Sequence, residues 1–139
     1  MRTDYWQIVF RAFKLSQGIL YKILMHDSSH DYSSLRILSQ SKNGYIGQCS
    51  CCDHYNFVFG NVLFICSEDG LNGFHSVLYD VHQFHTMDTA LPYGRNHLLP
   101  SPIPNFMLSF NDDEVEEIKG LFQETLLALE IDQIFSRKK

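Results

Sequence analysis

Two stretches of this chain share one pattern: a short apolar strand, a polar N-cap residue, two acidic residues and an amphipathic helix. They are NVLFICSEDGLNGFHSVL, Asn61 to Leu78, and NFMLSFNDDEVEEIKGLF, Asn105 to Phe122. Ser67 and Asn111 are the predicted N-caps, and the acidic residues after each suit the positive end of a helix dipole. Apolar residues recur at helical spacing beyond each cap. The pattern predicts two units, each closed by a helix, and an α+β fold.

The two stretches align at an offset of 44 residues with matching caps, acidic pairs and apolar register. We interpret them as an internal duplication whose two units pack as a pseudo-twofold pair. Repeat 1 then covers about residues 35–84 and repeat 2 about 85–135, within one α+β domain at 35–135. The alternative stays open that unrelated junctions align this well, because caps and periodicity are generic.

Further strands and turns are predicted before and between these units. Asn43-Gly44 favours a type I′ turn and a hairpin, and Gly60-Asn61 gives a second turn signal inside an aromatic run. The connection HQFHTMDTALPYGRNHLLPSPIP holds all four prolines, so it predicts either a hairpin turning at Tyr93 to Asn96 or a functional loop. The stripe of the last helix comprises Val115, Ile118, Phe122, Leu126 and Leu129.

Residues 1–34 are predicted to be an N-terminal extension, either helical or disordered. Residues 1–24 have four basic residues and one acidic residue, a charge of +3, against −8 for the remaining 115. Their spaced apolar residues fit an amphipathic helix that rests on a membrane surface or packs on the body. The alternative is that Met25 is the true start, because the polar HDSSHDYSS after it is typical of a disordered chain start.

Charge and cysteine usage exclude several classes of protein. The net charge is −5 and the largest basic cluster is the terminal RKK, so we expect no nucleic-acid partner. No apolar run is long enough to cross a membrane. The four cysteines do not form an evenly spaced disulfide framework, which favours a soluble cytoplasmic protein.

The segment CSCC is the main chemical candidate. In an extended strand Cys49 and Cys52 point to opposite faces, whereas a turn at Ser50 to Asp53 brings them together as zinc ligands. A closed zinc site needs four ligands, and the weaker candidates to complete it are Cys51, His54 and Cys66. The alternative is a turn with buried thiols and no metal. A redox role is disfavoured, since no helix start is predicted beside these thiols.

A second candidate is HQFHTMD, in which His82, His85 and Asp88 are spaced by three residues. They share one face if the first predicted helix continues, and a metal site is then possible. A solvated helix end with favourable histidines is the simpler interpretation. A pocket that joined one of these histidines, or His97, to Asp88 would favour an enzyme, although no familiar catalytic motif is present.

Two apolar surfaces are candidates for partners. Tyr55, Phe57 and Phe59 line one face of a predicted strand, where they either form the core or bind another protein. LLALEIDQIF in the last helix is apolar on more than one side, which favours burial against a second subunit. We therefore expect a protein partner or self-association, with a homodimer preferred.

The segment LSQSKNGYIGQCSCCDHYNFVFGNVLF, followed by an acidic cap and a helix, resembles the opening of a small bacterial family of unknown function. Members of that family begin near a Lys-Asn-Gly-Tyr turn and carry a Cys-x-x-Cys soon after it. The resemblance covers Leu38 to about Leu78 and implies no activity. It also places the residues before Met25 outside the family pattern.

The sequence thus supports three functional hypotheses. The first is a non-enzymatic interaction or structural module that works through the aromatic face or the last helix. The second is a small zinc protein that uses Cys49 and Cys52. The third is an enzyme of unknown class with residues in the proline-rich connection.

Overall fold

The computed structural model describes residues 34–80, 85–88, 90–100 and 104–138, which form two antiparallel sheets and two α-helices. Apart from Ser34, the predicted N-terminal extension lies outside these residues, as does His82. The elements in chain order are β1 (Leu35–Gln40), β2 (Gly44–Cys49), β3 (Tyr55–Phe59), β4 (Val62–Cys66), α1 (Glu68–Tyr79), β5 (His85–Thr86), β6 (His97–Pro100), β7 (Met107–Phe110) and α2 (Asp112–Ser136).

The first sheet is a meander in the order β1-β2-β3-β4, with every neighbouring pair antiparallel. The hairpin predicted around Asn43-Gly44 is present, and the second turn signal, Gly60-Asn61, also joins two paired strands. Gly60 has a φ of 57°, the left-handed value that a two-residue hairpin connection favours in glycine. Each turn signal therefore marks the boundary between two paired strands.

The type I′ turn predicted at Asn43-Gly44 is wrong, because neither residue has a positive φ. Gly44 is instead the first residue of β2, where a Cβ atom would lie 2.1 Å from the carbonyl oxygen of Val58. The glycine is needed for close approach of β3 rather than for turn geometry. Asn43 donates its backbone N–H and its side-chain amide to the two carboxylate oxygens of Glu117, each at 2.8 Å.

Both predicted helix caps are confirmed. The side chain of Ser67 accepts a hydrogen bond from the N–H of Gly70 at 3.2 Å, and α1 begins at Glu68. Asn111 and Glu114 form a reciprocal capping box: the Asn111 side chain accepts from the Glu114 N–H at 2.8 Å, and the Glu114 carboxylate accepts from the Asn111 N–H at 3.0 Å. These bonds determine where the helix begins after each strand.

The second sheet has the order β5-β6-β7 and is also antiparallel. The hairpin predicted in the proline-rich connection is confirmed, because β5 pairs with β6 across a loop that contains a short 3-10 turn at Pro92–Gly94. Tyr93 and Gly94 both have positive φ values, 61° and 65°. β7 then leads directly into α2.

One hydrophobic core joins the two sheets and the two helices. Tyr55, Phe57 and Phe59 all face it and are between 2% and 6% exposed. The ring of Phe57 lies 5.6 Å from that of Phe122 on α2, and the ring of Phe59 lies 6.0 Å from that of Phe110 on β7. The hypothesis that this aromatic row binds a partner is therefore wrong, because all three side chains are buried in the core.

The α+β class is confirmed, whereas the duplication remains a prediction. Both strand–helix junctions form, but the described parts of the two units differ: α1 has 12 residues and α2 has 25, and the sheets have four and three strands. Within the described ranges, no helix has both the length and the apolar character needed to cross a membrane.

Candidate metal centre

The CSCC segment forms the tight loop that joins β2 to β3. Cys49 is the last residue of β2, and its N–H donates to the carbonyl of His54 at 2.8 Å. The N–H of Asp53 donates back to the carbonyl of Cys49 at 3.0 Å. Asp53 has a φ of 54°, a left-handed conformation that aspartate tolerates better than most residues. The predicted turn is thus present, and it replaces the extended strand that would separate the thiols.

The edge strand β1 holds this turn from the side. The backbone N–H and the hydroxyl of Ser50 both donate to the carbonyl of Ser34, at 3.4 Å and 3.0 Å. Beside them, Leu35 is paired with Cys49 across the β1–β2 ladder. The first residue of the turn is therefore tied to Ser34, the residue just before β1.

Three thiols converge on this turn. The Sγ atoms of Cys49, Cys51 and Cys52 all lie within 4.8 Å of one another, and those of Cys49 and Cys51 are 2.8 Å apart. Cys49 is only 9% exposed, Cys52 is half-buried and Cys51 is exposed. The structure thus brings together the predicted pair Cys49 and Cys52 and adds Cys51, which was predicted only as a weaker candidate.

Hydrogen bonding among the thiols makes them unequal acids. The hydrogen bond from Cys51 lowers the pKa of Cys49 from 9.0 to about 6, because it stabilises the thiolate. The same bond raises the pKa of Cys51 to about 11. For Cys52, burial is the main cause of a raised pKa. One thiolate is therefore available near neutral pH, with two protonated thiols beside it.

The arrangement is suited to a soft metal ion. Thiolates bind zinc at about 2.3 Å, which sets neighbouring sulfurs of a tetrahedral site roughly 3.8 Å apart. The Cys49–Cys51 separation of 2.8 Å has to widen by about 1 Å for such a site, a change that the exposed Cys51 can supply by rotation. The three sulfurs would supply three of the four ligands of such a site, with the exposed Cys51 at its outer side.

His54 and Cys66 do not join the three thiols. A ring nitrogen of His54, Nδ1, is hydrogen-bonded to the carbonyl oxygen of Cys52 at 2.8 Å, so this nitrogen is engaged by the backbone of the turn. Cys66 lies on β4 opposite Tyr55 and packs against Gly70 at the start of α1. Burial raises the pKa of the Cys66 thiol to about 11, as expected of a thiol that packs in an apolar site.

The prediction of a metal site on a continued first helix is wrong. The helix ends at Tyr79, and the backbone of His85 belongs to a strand, so His85 and Asp88 do not share a helical face. The favourable interaction proposed for His85 at a helix end fails for the same reason. Within the described ranges, Cys49, Cys51 and Cys52 are the one group of three or more His, Cys, Asp or Glu residues placed for a metal.

His97 lies in a polar contact that the sequence did not indicate. Its Nδ1 atom is 3.1 Å from the hydroxyl of Thr86 on β5, and its Nε2 atom is 2.5 Å from a carboxylate oxygen of Asp112. Asp112 is the first residue of α2 and its side chain is 92% exposed. The acidic start of α2 is visible in the sequence. Its position beside His97 on β6 is not, because that contact depends on tertiary packing.

Fold and turn together define a small α+β protein with a cysteine-rich hairpin loop. The chain belongs to a family of unknown function, DUF6686, which matches residues 32–135. The predicted resemblance to a family of unknown function is thereby confirmed. No curated protein and no solved structure matches the chain.

Proposed function

We propose that this protein binds a zinc-like metal ion through the thiolates of Cys49, Cys51 and Cys52. The observation that carries the proposal is the convergence of their three Sγ atoms within 4.8 Å on one loop. Sulfur donors select soft or borderline ions such as Zn²⁺ and Cu⁺ over Mg²⁺ or Ca²⁺. Of the three sequence hypotheses, this one has a geometric basis at a defined site.

The acid strengths of the thiols also favour metal binding. A metal ion competes with protons for sulfur, and Cys49, whose pKa is lowered to about 6, gives up its proton readily near neutral pH. Cys51 and Cys52 then lose theirs to the bound ion, so uptake releases protons. Because thiolates must stay reduced to bind, the proposal also favours a reducing compartment such as the cytoplasm.

The open fourth position distinguishes this site from a closed structural one. Structural zinc sites have four protein ligands, whereas sites with three keep a position for water or an exchangeable ligand. Cys51 is exposed, so a small thiol or a donor from another protein can reach the ion. We therefore favour an exchangeable metal site over a folding clamp. The core is built from side chains elsewhere and does not depend on the ion.

Metal content of the full chain, purified without chelator, tests the proposal. We expect about one zinc ion per chain by elemental analysis, and loss of it in the C51S/C52S variant. C66S is the matched control, since Cys66 is outside the cluster and the metal should remain. Replacement by Co²⁺ should give thiolate charge-transfer bands in the near ultraviolet for the wild type and C66S alone.

Two results contradict the proposal. One is wild-type protein that takes up no zinc and no Co²⁺ even after reconstitution under reducing conditions. The other is C51S/C52S that binds metal as well as C66S does. Circular dichroism of all three proteins shows whether any loss reflects unfolding, which we do not expect, because Cys51 and Cys52 lie on the loop and not in the core.

A further inference from the structure

The C-terminal half of α2 carries apolar residues on two opposite faces. The inner face continues the core stripe: Thr125 is fully buried and Leu129 packs against the core. At 3.6 residues per turn, a second stripe lies roughly opposite and points to solvent. We call it the outer stripe, and its members are Leu127, Ile131, Ile134 and Phe135, which are 58%, 43%, 50% and 66% exposed.

The last turns of α2 extend past the core. Thr125 is the last buried residue of the helix, although the helix continues to Ser136. Near its end Asp132 accepts two hydrogen bonds from Arg36 on β1, at 2.6 Å and 3.1 Å. This exposed ion pair lies on the side of the helix that faces β1. The outer stripe faces away from the body and forms an exposed apolar surface, which is typical of an interaction site.

We propose that the outer stripe is the interface through which two copies of this chain associate, with α2 packed antiparallel against α2. Ile131 lies at the centre of the stripe, and a two-fold axis there makes the stripe self-complementary. Leu127 of one copy then lies near Phe135 of the other. The spacing from Leu127 to Ile131 and then to Ile134 is the four–three alternation of helices that pack side by side.

Charges beside the stripe favour the antiparallel orientation. Glu124 lies on α2 seven residues before Ile131, and Lys138 lies seven residues after it, just past the end of the helix at Ser136. An antiparallel crossing at Ile131 brings Glu124 of one copy near Lys138 of the other, twice per dimer. A parallel crossing would instead place each charge beside its own equivalent. Opposite charges therefore select one of the two orientations.

The area of the stripe indicates a reversible dimer. If a large apolar side chain has roughly 200 Å² of surface, the exposed fractions leave roughly 400 Å² of apolar surface per copy. Two copies bury roughly twice that, which is less than standard specific interfaces bury and falls in the range of weak, transient contacts. We therefore expect dissociation in the micromolar range. The dimer does not depend on the proposed metal site.

Sedimentation velocity of the full chain, from low to several hundred micromolar, tests the dimer. We expect the wild type to shift from monomer to dimer with concentration. I131E places two like charges on the two-fold axis and should raise the dissociation constant at least roughly thirtyfold. L63E is the matched control, because Leu63 on β4 is 48% exposed and lies outside the stripe, so its dimerisation should equal that of the wild type.

A charge exchange tests the orientation. E124K places lysine near Lys138 of the second copy and should weaken the dimer several-fold, more strongly at low salt. E124K/K138E restores opposite charges and should recover the wild-type constant. The proposal is overturned if the wild type stays monomeric throughout, if I131E still dimerises like L63E, or if the double variant stays as weak as E124K.

Discussion

The hydrogen bond between Ser39 and Thr125 gives the sharpest test of how α2 is seated. Their hydroxyl oxygens are 2.8 Å apart, and the residues are 4% and 0% exposed. Ser39 follows a bulge in β1, so its side chain faces the helix. This polar pair lies beside an otherwise apolar core and joins the helix to the edge strand that supports the cysteine turn.

Removing the Thr125 hydroxyl alone should cost more than removing both hydroxyls. T125V keeps the volume of the side chain but leaves the buried Ser39 hydroxyl without this partner, which should lower the free energy of unfolding by about 1–3 kcal/mol. S39A should cost about 1 kcal/mol, because Thr125 can still donate to a carbonyl one turn back in its own helix. The S39A/T125V double variant leaves neither hydroxyl and should be about as stable as S39A.

Urea unfolding of the wild type and these three variants measures the coupling. With a slope of about 2 kcal/mol per molar urea, a loss of 2 kcal/mol shifts the midpoint by about 1 M. The coupling between the two sites should equal the cost of T125V, about 1–3 kcal/mol, because the double variant loses no more stability than S39A. Unfolding energies of the single variants that simply add in the double variant would refute the reasoning, as would a T125V variant with an unchanged midpoint.

Three further predictions concern the turn, the first hairpin and the core. In metal-free protein the thiolate absorbance of Cys49 should titrate near pH 6, and C51A should move it toward 9, because Cys51 then no longer stabilises the thiolate. Burial alone would raise the pKa of Glu117, but hydrogen bonds such as those from Asn43 outweigh it and the net pKa is below 4.5. The Glu117 carboxylate therefore stabilises the fold at pH values above its pKa in the unfolded chain, and this effect is lost as the pH falls through its pKa in the folded protein. E117Q should therefore unfold at a lower urea concentration than the wild type at pH 7 and at the same concentration in acid. F122A removes a fully buried ring and should lower the free energy of unfolding by about 3–5 kcal/mol in thermal or urea unfolding.

Local signals in the sequence were enough for most of the fold. Ser67 and Asn111 could be assigned as caps because their partners are three residues away. The strand boundaries followed from glycine and asparagine pairs between apolar runs. The role of Gly44 could not be predicted, since it depends on the approach of Val58 from another strand. A dipeptide preference for one turn type cannot report such a contact.

The candidate site shows the same division between local and tertiary information. A turn at CSCC was predictable in outline, but the group of ligands depended on how the turn closes. The left-handed Asp53 and the bonds between Cys49, Asp53 and His54 fold the loop back so that Cys51 approaches Cys49. The same closure leaves a ring nitrogen of His54 bonded to the carbonyl of Cys52. Residue spacing alone therefore did not identify the full group of ligands. The backbone conformation of the turn decides which side chains converge.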